Sequence, residues 1–201
     1  MSNVSNPAPG TRDFILDVSV SLFAQTGYDG VSMRNIAKRV GISAAALYHH
    51  FPNKESLYLG AMAHAFADKA RAISETAGAG ATPQERLHGF VDRFTALMAE
   101  DPDFRHLLQR ELIDGDESRL RLVAEHVFRE PFEAISALSR DLDPNCDPHM
   151  LAISMAGLIL FHFETAPVRR FLPGVREGHD SPAMISEHVK RLLSRALLLT
   201  K

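Results

Sequence analysis

Residues 11–59 read TRDFILDVSVSLFAQTGYDGVSMRNIAKRVGISAAALYHHFPNKESLYL, and the order of caps and apolar residues in this stretch decides the fold. Thr11 is placed to cap a first helix whose apolar face is Phe14, Ile15, Val18, Leu22 and Phe23, with Gly27 ending it in a left-handed cap. Ser32 is placed to cap a short second helix bearing Ile36, Ala37 and Val40. Gly41 supplies a turn, Ser43 caps a third helix holding Leu47, Pro52 stops that helix, and Asn53 caps a fourth. Two short helices joined by a tight glycine turn are what a helix-turn-helix requires. Ala37 stands four residues before Gly41, where a larger side chain would hold the two helices apart. Ile36, Val40, Ile42 and Leu47 fill the small core between them, and Leu47 and Phe51 read as core.

Beyond this stretch, proline placement maps the chain. Thr82-Pro83, Asp101-Pro102, Asp147-Pro148 and Ser181-Pro182 each pair a good N-cap with the residue best tolerated at the first helical position. Glu85 completes a capping box with Thr82. Each dipeptide opens a stretch of helical period: Leu87, Phe90, Val91, Phe94, Leu97 and Met98; then Phe104, Leu107, Leu108 and Leu112. After the Asp114-Gly115 turn the stripe runs Leu120, Val123, Ala124, Val127, Phe128, Phe132, Ile135 and Leu138, with a kink expected at Pro131. Residues 151–163 are apolar on nearly every face, which predicts a helix buried on two sides, and Ile185, Val189, Leu192, Leu193 and Ala196 make a final amphipathic helix. Residues 53–76 read as one long alanine-rich helix shared by an N-terminal unit and a larger C-terminal bundle. No alternating run appears, so the predicted fold is all-α.

Composition bounds the function. With 201 residues, 45 % hydrophobic and 23 % charged, the chain is of ordinary globular makeup. Cys146 is the single cysteine, which excludes an internal disulfide framework and a four-cysteine zinc site. Residues 1–10 lack a basic stretch followed by an apolar core, and no run nears 18 apolar residues, so a cytoplasmic protein with no membrane span is expected. The net charge of −3 hides a mild asymmetry, +1 over residues 1–60 and −4 over the remainder. That balance is too weak to identify a nucleic-acid partner by itself. No Gly-rich phosphate loop, metal-ligand cluster, G-x-S-x-G elbow or catalytic-cysteine context is present, so no catalytic residue, metal or cofactor is expected and an enzyme is disfavoured.

The chemistry of the third helix suits DNA. It presents Ser43, Ala44, Ala45, Tyr48 and His49 outward to a major groove. The hydroxyls of Ser32, Ser43 and Tyr48, with Lys54 at a helix N-terminus, reach for phosphate oxygens. Small alanines let the helix lie close to base edges and offer methyl contact to thymine, while His49 donates or accepts in the groove. The face has no Arg or Asn for a bidentate base contact, which shifts specificity towards DNA shape. Ser32, Ser43 and Asn53 would also be caps in any helical protein, and the alternative for Tyr48 is a half-buried core ring.

These residues carry a resemblance. Residues 11 to about 60 resemble the DNA-binding domain of TetR-family transcriptional regulators, through T-R-D-F-I-L with Leu22-Phe23 and Gly27-Tyr28, Ser32 with Ile36-Ala37, Gly41-Ile42-Ser43, Leu47-Tyr48-His49-His50-Phe51 and Lys54-Glu55. The sequence departs from the common pattern at Ala44-Ala45-Ala46, where many members carry Lys, Gly or Thr. The resemblance implies an all-helical homodimer, usually a repressor of a palindromic operator on double-stranded DNA, with a small-molecule effector pocket in the C-terminal domain. It also implies phosphate contacts for Ser32, Tyr48 and Lys54, and Arg34 joins the candidate DNA-contact set. The expected organisation is an arm at 1–10 without fixed structure, a DNA-binding domain at 11–57 with its helix-turn-helix at 32–51, and a ligand-binding and dimerisation domain at 58–201. The alternative is a helical oligomerisation scaffold whose helix-turn-helix binds no DNA.

Candidates in the C-terminal region are weaker. Phe94, Met98, Leu108, Phe128, Met155 and His162 are the residues placed to line a largely apolar effector pocket, although apolar residues at helical spacing are first of all core. The His49-His50 pair points two ways on a helix and is no metal site, and the calcium-loop-like Asp141, Asp143 and Asn145 lack the glycine and glutamate such a loop needs. Arg169-Arg170 reads either as solvated loop charge or as a meeting point for an anionic ligand. The apolar helix 148–163 and the final helix are expected to form a four-helix interface with their two-fold mates, burying more than about 2,000 Å².

Overall fold

The computed structural model describes residues 10–80, 82–115 and 117–198, without the side chains of Asp114 and Leu198. The expected unstructured arm at 1–10 therefore lies outside the described residues, Gly10 excepted. Among the described residues there are helices and no strands: α1 Arg12–Thr26, α2 Met33–Val40, α3 Ala44–His50, α4 Lys54–Gly78, α5 Pro83–Glu100, α6 Pro102–Asp114, α7 Glu117–Val123, α8 Arg129–Leu142, α9 Pro148–Glu164, α10 Ala166–Arg169 and α11 Pro182–Leu198. Six of the expected caps fall where the sequence puts them. Thr11, Ser32, Ser43 and Asp147 accept backbone N–H bonds at the starts of α1, α2, α3 and α9. Asn53 accepts from the Ser56 N–H at 2.7 Å, and Thr82 and Glu85 make both bonds of the capping box.

Two compact units divide the chain, Met1–Asp68 with Pro102–Phe128, and Lys69–Asp101 with Arg129–Lys201. Compactness groups 102–128 with the N-terminal helices, a grouping no local sequence signal announces. In unit 1, α1 packs on α2 and α6, and α2 packs on α3. The last turn of α1 has no basic residue of its own. Arg110 of α6 supplies one, donating to the carbonyls of Ala24 and Gln25 at 2.9 Å each, where the helix dipole favours a cation. In unit 2, α5 packs on α8, α9 and α11. Asp92 of α5 accepts from Ser186 and from Lys190 at 3.0 Å; these bonds outweigh the burial that would raise it and hold its carboxyl below the usual range.

Three local expectations are corrected. Gly27 ends α1 with φ 74° and ψ 175°, a positive-φ conformation outside the left-handed helical region. The irregularity expected at Pro131 falls earlier, as a π-helical turn over Ala124–Phe128, and contains Val127, whose carbonyl a proline four residues on would crowd. The stripe of α6 turns at Glu111, which is buried, while Leu112 is 62 % exposed.

Candidate nucleic-acid interface

Helix α2 buries Met33, Ile36, Ala37 and Val40, at i, i+3, i+4 and i+7, and so turns Ser32, Arg34, Asn35, Lys38 and Arg39 to the surface. The chain then reverses through Gly41, at φ 84° and ψ 26°, with the Gly41 and Ile42 N–H groups both donating to the Ala37 carbonyl at 2.9 and 3.0 Å. Glycine takes this left-handed conformation without the penalty a Cβ brings. Helix α3 is anchored by Leu47, its single buried residue, and by Phe51 at its C-cap. With so narrow a buried face, Ser43, Ala45, Tyr48 and His49 are exposed and Ala44 is half-buried. Tyr48 is 49 % exposed, which settles it as a surface ring rather than a core one.

The serines keep a donor in reserve. Ser32 Oγ accepts from the Asn35 N–H at 3.2 Å and Ser43 Oγ from the Ala46 N–H at 3.1 Å. Each cap uses the oxygen as acceptor, so the hydroxyl proton remains to donate to a phosphate. All eight predicted contact residues lie in unit 1, and seven carry exposed or half-exposed side chains beside the eighth, Lys54, which is partly covered.

Lys54 is held by a group that the sequence reading does not assign to the site. Its Nζ stands 4.1 Å from the centre of the Tyr28 ring, and the Arg119 guanidinium carbon stands 4.4 Å from the same centre. Arg119 Nε donates to both oxygens of Glu111 at 3.0 Å, and Tyr58 Oη donates to Glu111 Oε2 at 2.6 Å. Phe23 meets Tyr58 edge-on at 4.8 Å, and Tyr58 meets Tyr28 edge-on at 5.1 Å. Burial and then the Glu111 carboxylate push the Tyr58 phenol far above its ordinary value, so it remains a neutral donor. The cluster thus runs from a buried carboxylate on α6 to an ammonium at the N-terminus of α4. Tyr28 lies within the motif that carries the resemblance; Glu111 is an acid in an apolar stripe, and that misplaced charge is the signal that marks it.

Among the predicted pocket residues, Phe94, Met98, Met155 and His162 fall in unit 2, and Leu108 and Phe128 in unit 1. Met98 and Met155 are fully buried, Phe94 stacks on Phe90 at 5.6 Å, and Phe128 meets Phe66 edge-on at 4.7 Å. No group of three His, Cys, Asp or Glu able to hold a metal occurs among the described residues, and no described helix is long and apolar enough to cross a membrane.

Residues 15–61, which hold α2, α3 and Lys54, match the sequence profile of bacterial regulatory proteins of the tetR family. Through this stretch the chain is similar to the regulators of the tetR family. It is 28 % identical over 141 residues to the HTH-type transcriptional repressor KstR of Mycolicibacterium smegmatis, covering 70 % of this chain and 69 % of that one. Against KstR of Mycobacterium tuberculosis the identity is 31 % over 107 residues, 53 % of this chain and 49 % of the relative. The negative transcriptional regulator IcaR of Staphylococcus aureus is 47 % identical over 47 residues, 23 % of this chain and 25 % of its own. The chain thus spans from a quarter to about two thirds of these TetR-family relatives. Two solved structures share the fold: FadR of Bacillus subtilis in complex with stearoyl-CoA (TM-score 0.76, 18 % identity, 91 % of this chain and 97 % of that one) and AibR in complex with isovaleryl coenzyme A and operator DNA (TM-score 0.70, 21 % identity, 90 % and 97 %).

Proposed function

We propose that this protein is a DNA-binding transcriptional regulator of the TetR type, a ligand-responsive repressor that holds a palindromic operator as a homodimer. The observation that carries the reading is the face of α2 and α3. Its inner side is completed by four buried residues and Leu47, and its outer side offers Ser32, Arg34, Ser43, Tyr48, His49 and Lys54 around the small Ala44 and Ala45. Hydroxyls, cations and helix N-termini position a protein on phosphates, and a small-residue helix surface lets it approach base edges. Residues 11–57 form the DNA-binding domain and 58–201 the ligand-binding and dimerisation domain in this reading. Repression by KstR and IcaR, and the acyl-CoA and operator complexes of FadR and AibR, support it by kinship and fold.

Helix α9 supports the dimer. Met150, Ile153, Gly157 and Phe161 share one stripe and are all exposed, Met150 at 61 % and Phe161 at 69 %. A contiguous apolar stripe of this kind calls for a partner surface, and α11 adds the exposed Leu192. In such a dimer the two α3 helices serve half-sites about 34–36 Å apart.

The test is a fluorescence-anisotropy titration against the duplex upstream of the protein's own gene, repeated over a range of salt and with Lys54→Ala. Saturable binding tighter than to random duplex is expected. Lys54→Ala weakens all duplexes about equally and reduces the salt slope by roughly one unit, as for one lost phosphate contact. Binding no tighter than to random duplex supports the scaffold instead.

A further inference from the structure

An open cleft of about 310 Å³ in unit 2 is lined by His162, Arg169, His179, Met184, Ile185, His188 and Arg191. Two guanidiniums and three imidazoles face it, and no carboxylate is among the lining groups. Its floor is fixed by Arg169 at the end of α10. That side chain donates through Nη1 to His162 Nδ1 at 2.8 Å and is paired through Nη2 with Asp180. Arg169 Nε is buried without a hydrogen-bond partner among the described residues. His162 accepts from Arg169 and meets the His188 ring edge-on at 5.7 Å. Burial, then Arg169 and His188, hold its imidazole below the ordinary histidine value, so it remains a neutral acceptor. Asp180 answers one of the two guanidiniums. Arg191 and His188, both exposed on α11, bring cationic and donor capacity that nothing in the lining answers.

The other wall is apolar. Met184 is 47 % exposed and Ile185 lies buried beneath the same surface. The volume is at the lower end of the roughly 300–1,000 Å³ of small-molecule sites. A planar guanidinium matches a two-oxygen anion bidentately, whereas an alcohol or amine finds no complement to five donors. We propose that this cleft binds a small organic carboxylate, with Arg191 and His188 meeting the two oxygens, Arg169 holding the floor, and Met184 and Ile185 covering the aliphatic or aromatic body. This deepens the ligand-responsive part of the proposed function by naming the ligand class and a place for its charge.

Octanoate is the probe, with octanol and inorganic phosphate as controls, and binding is measured by calorimetry on the free full-length protein. Because no DNA is present, failure here leaves the operator titration untouched. Saturable octanoate binding is expected, weakened at least tenfold by Arg191→Gln and by His188→Gln, with no saturable binding of octanol. Both substituted residues are exposed in the single chain, and matched melting temperatures and sedimentation without ligand verify that each variant keeps the fold and the assembly of the parent. Octanoate binding indifferent to both substitutions overturns the proposal, as does octanol binding as tightly as octanoate. Binding of phosphate but not octanoate overturns the carboxylate assignment, and absence of octanoate binding at millimolar concentration overturns the site.

Discussion

Helix α2 and helix α9 spend their apolar residues differently. In α2, Met33, Ile36, Ala37 and Val40 are all buried, and every residue between them is exposed. In α9, Ala152, Met155 and Ile159 are buried while Met150, Ile153 and Phe161 stand in solvent on the same helix. Helix α2 completes itself within unit 1: its apolar side chains are all covered, and the buried charges Glu111 and Arg119 of the same unit pair with each other. Unit 2 leaves a stripe unfinished. A face that needs nothing further to be stable is free to be polar and to meet DNA, whereas an apolar face left open is asking for another protein surface.

The largest expected effect tests the self-sufficiency of unit 1. Glu111 and Arg119 are 2 % and 6 % exposed, and Tyr58 Oη shares the carboxylate. Glu111→Ala strips Arg119 Nε and Tyr58 of one acceptor at once, and breaking a buried pair by removing one partner costs about 3–5 kcal/mol. Urea unfolding reads this directly. Replacing both members, Glu111→Leu with Arg119→Met, costs much less, because no uncompensated charge remains. A single-variant loss no larger than that of the double variant would show that the pair is not the support it looks to be. Lys54 gives a second readout: loss of the Arg119 position lets Tyr28 shift, so DNA affinity falls in Glu111→Ala even at temperatures where the protein is fully folded.

That pair is also where the sequence stops being legible. The caps at Thr11, Ser32, Ser43, Thr82 and Asp147 are read from residues two or three apart, and the structure has every one. The turn at Gly41 and the core at Leu47 are equally local. In α6, positions 111 and 112 both continue the stripe from Leu107 and Leu108, and hydrophobicity favours Leu112. The structure buries Glu111 because Arg119 and Tyr58 come from other helices to meet it. In α7 the same pairing puts Arg119, rather than Leu120, among the buried residues. Periodicity predicts which face is buried to within one residue; a non-local partner decides the remaining rotation. Tyr28 stays invisible as a support of Lys54 for the same reason, since cation–ring contact depends on where separate helices end.

The next effect belongs to α9. Ile153→Glu with Phe161→Glu places two carboxylates on the exposed stripe, where the single chain has water to solvate them. Unfolding free energy extrapolated to low protein concentration changes little, as for other surface substitutions, within about 0.5 kcal/mol. Association weakens at least a hundredfold, since two charges would have to be desolvated without partners. Sedimentation equilibrium at micromolar protein distinguishes the two. An unchanged oligomeric state would remove the contrast between the helices, because the stripe would then be ordinary surface.

The smallest effect isolates backbone conformation in the region that is complete. A Cβ built at Gly41 meets nothing within 4 Å, so a substitution there meets no steric neighbour. The φ of 84° alone opposes a side chain. An L-residue in the left-handed region costs about 1–2 kcal/mol, less for Asn, whose side chain bonds locally. Gly41→Ala therefore lowers stability in urea by about that amount and Gly41→Asn by less. DNA affinity of the folded fraction stays near that of the parent in both, because the turn is paid for in folding free energy and α3 keeps its anchor at Leu47. Equal losses for Ala and Asn would point to a contact with the added Cβ and not to the dihedral. A loss of affinity with full stability would mean that the turn sets the angle of α3 and that Leu47 alone does not hold it.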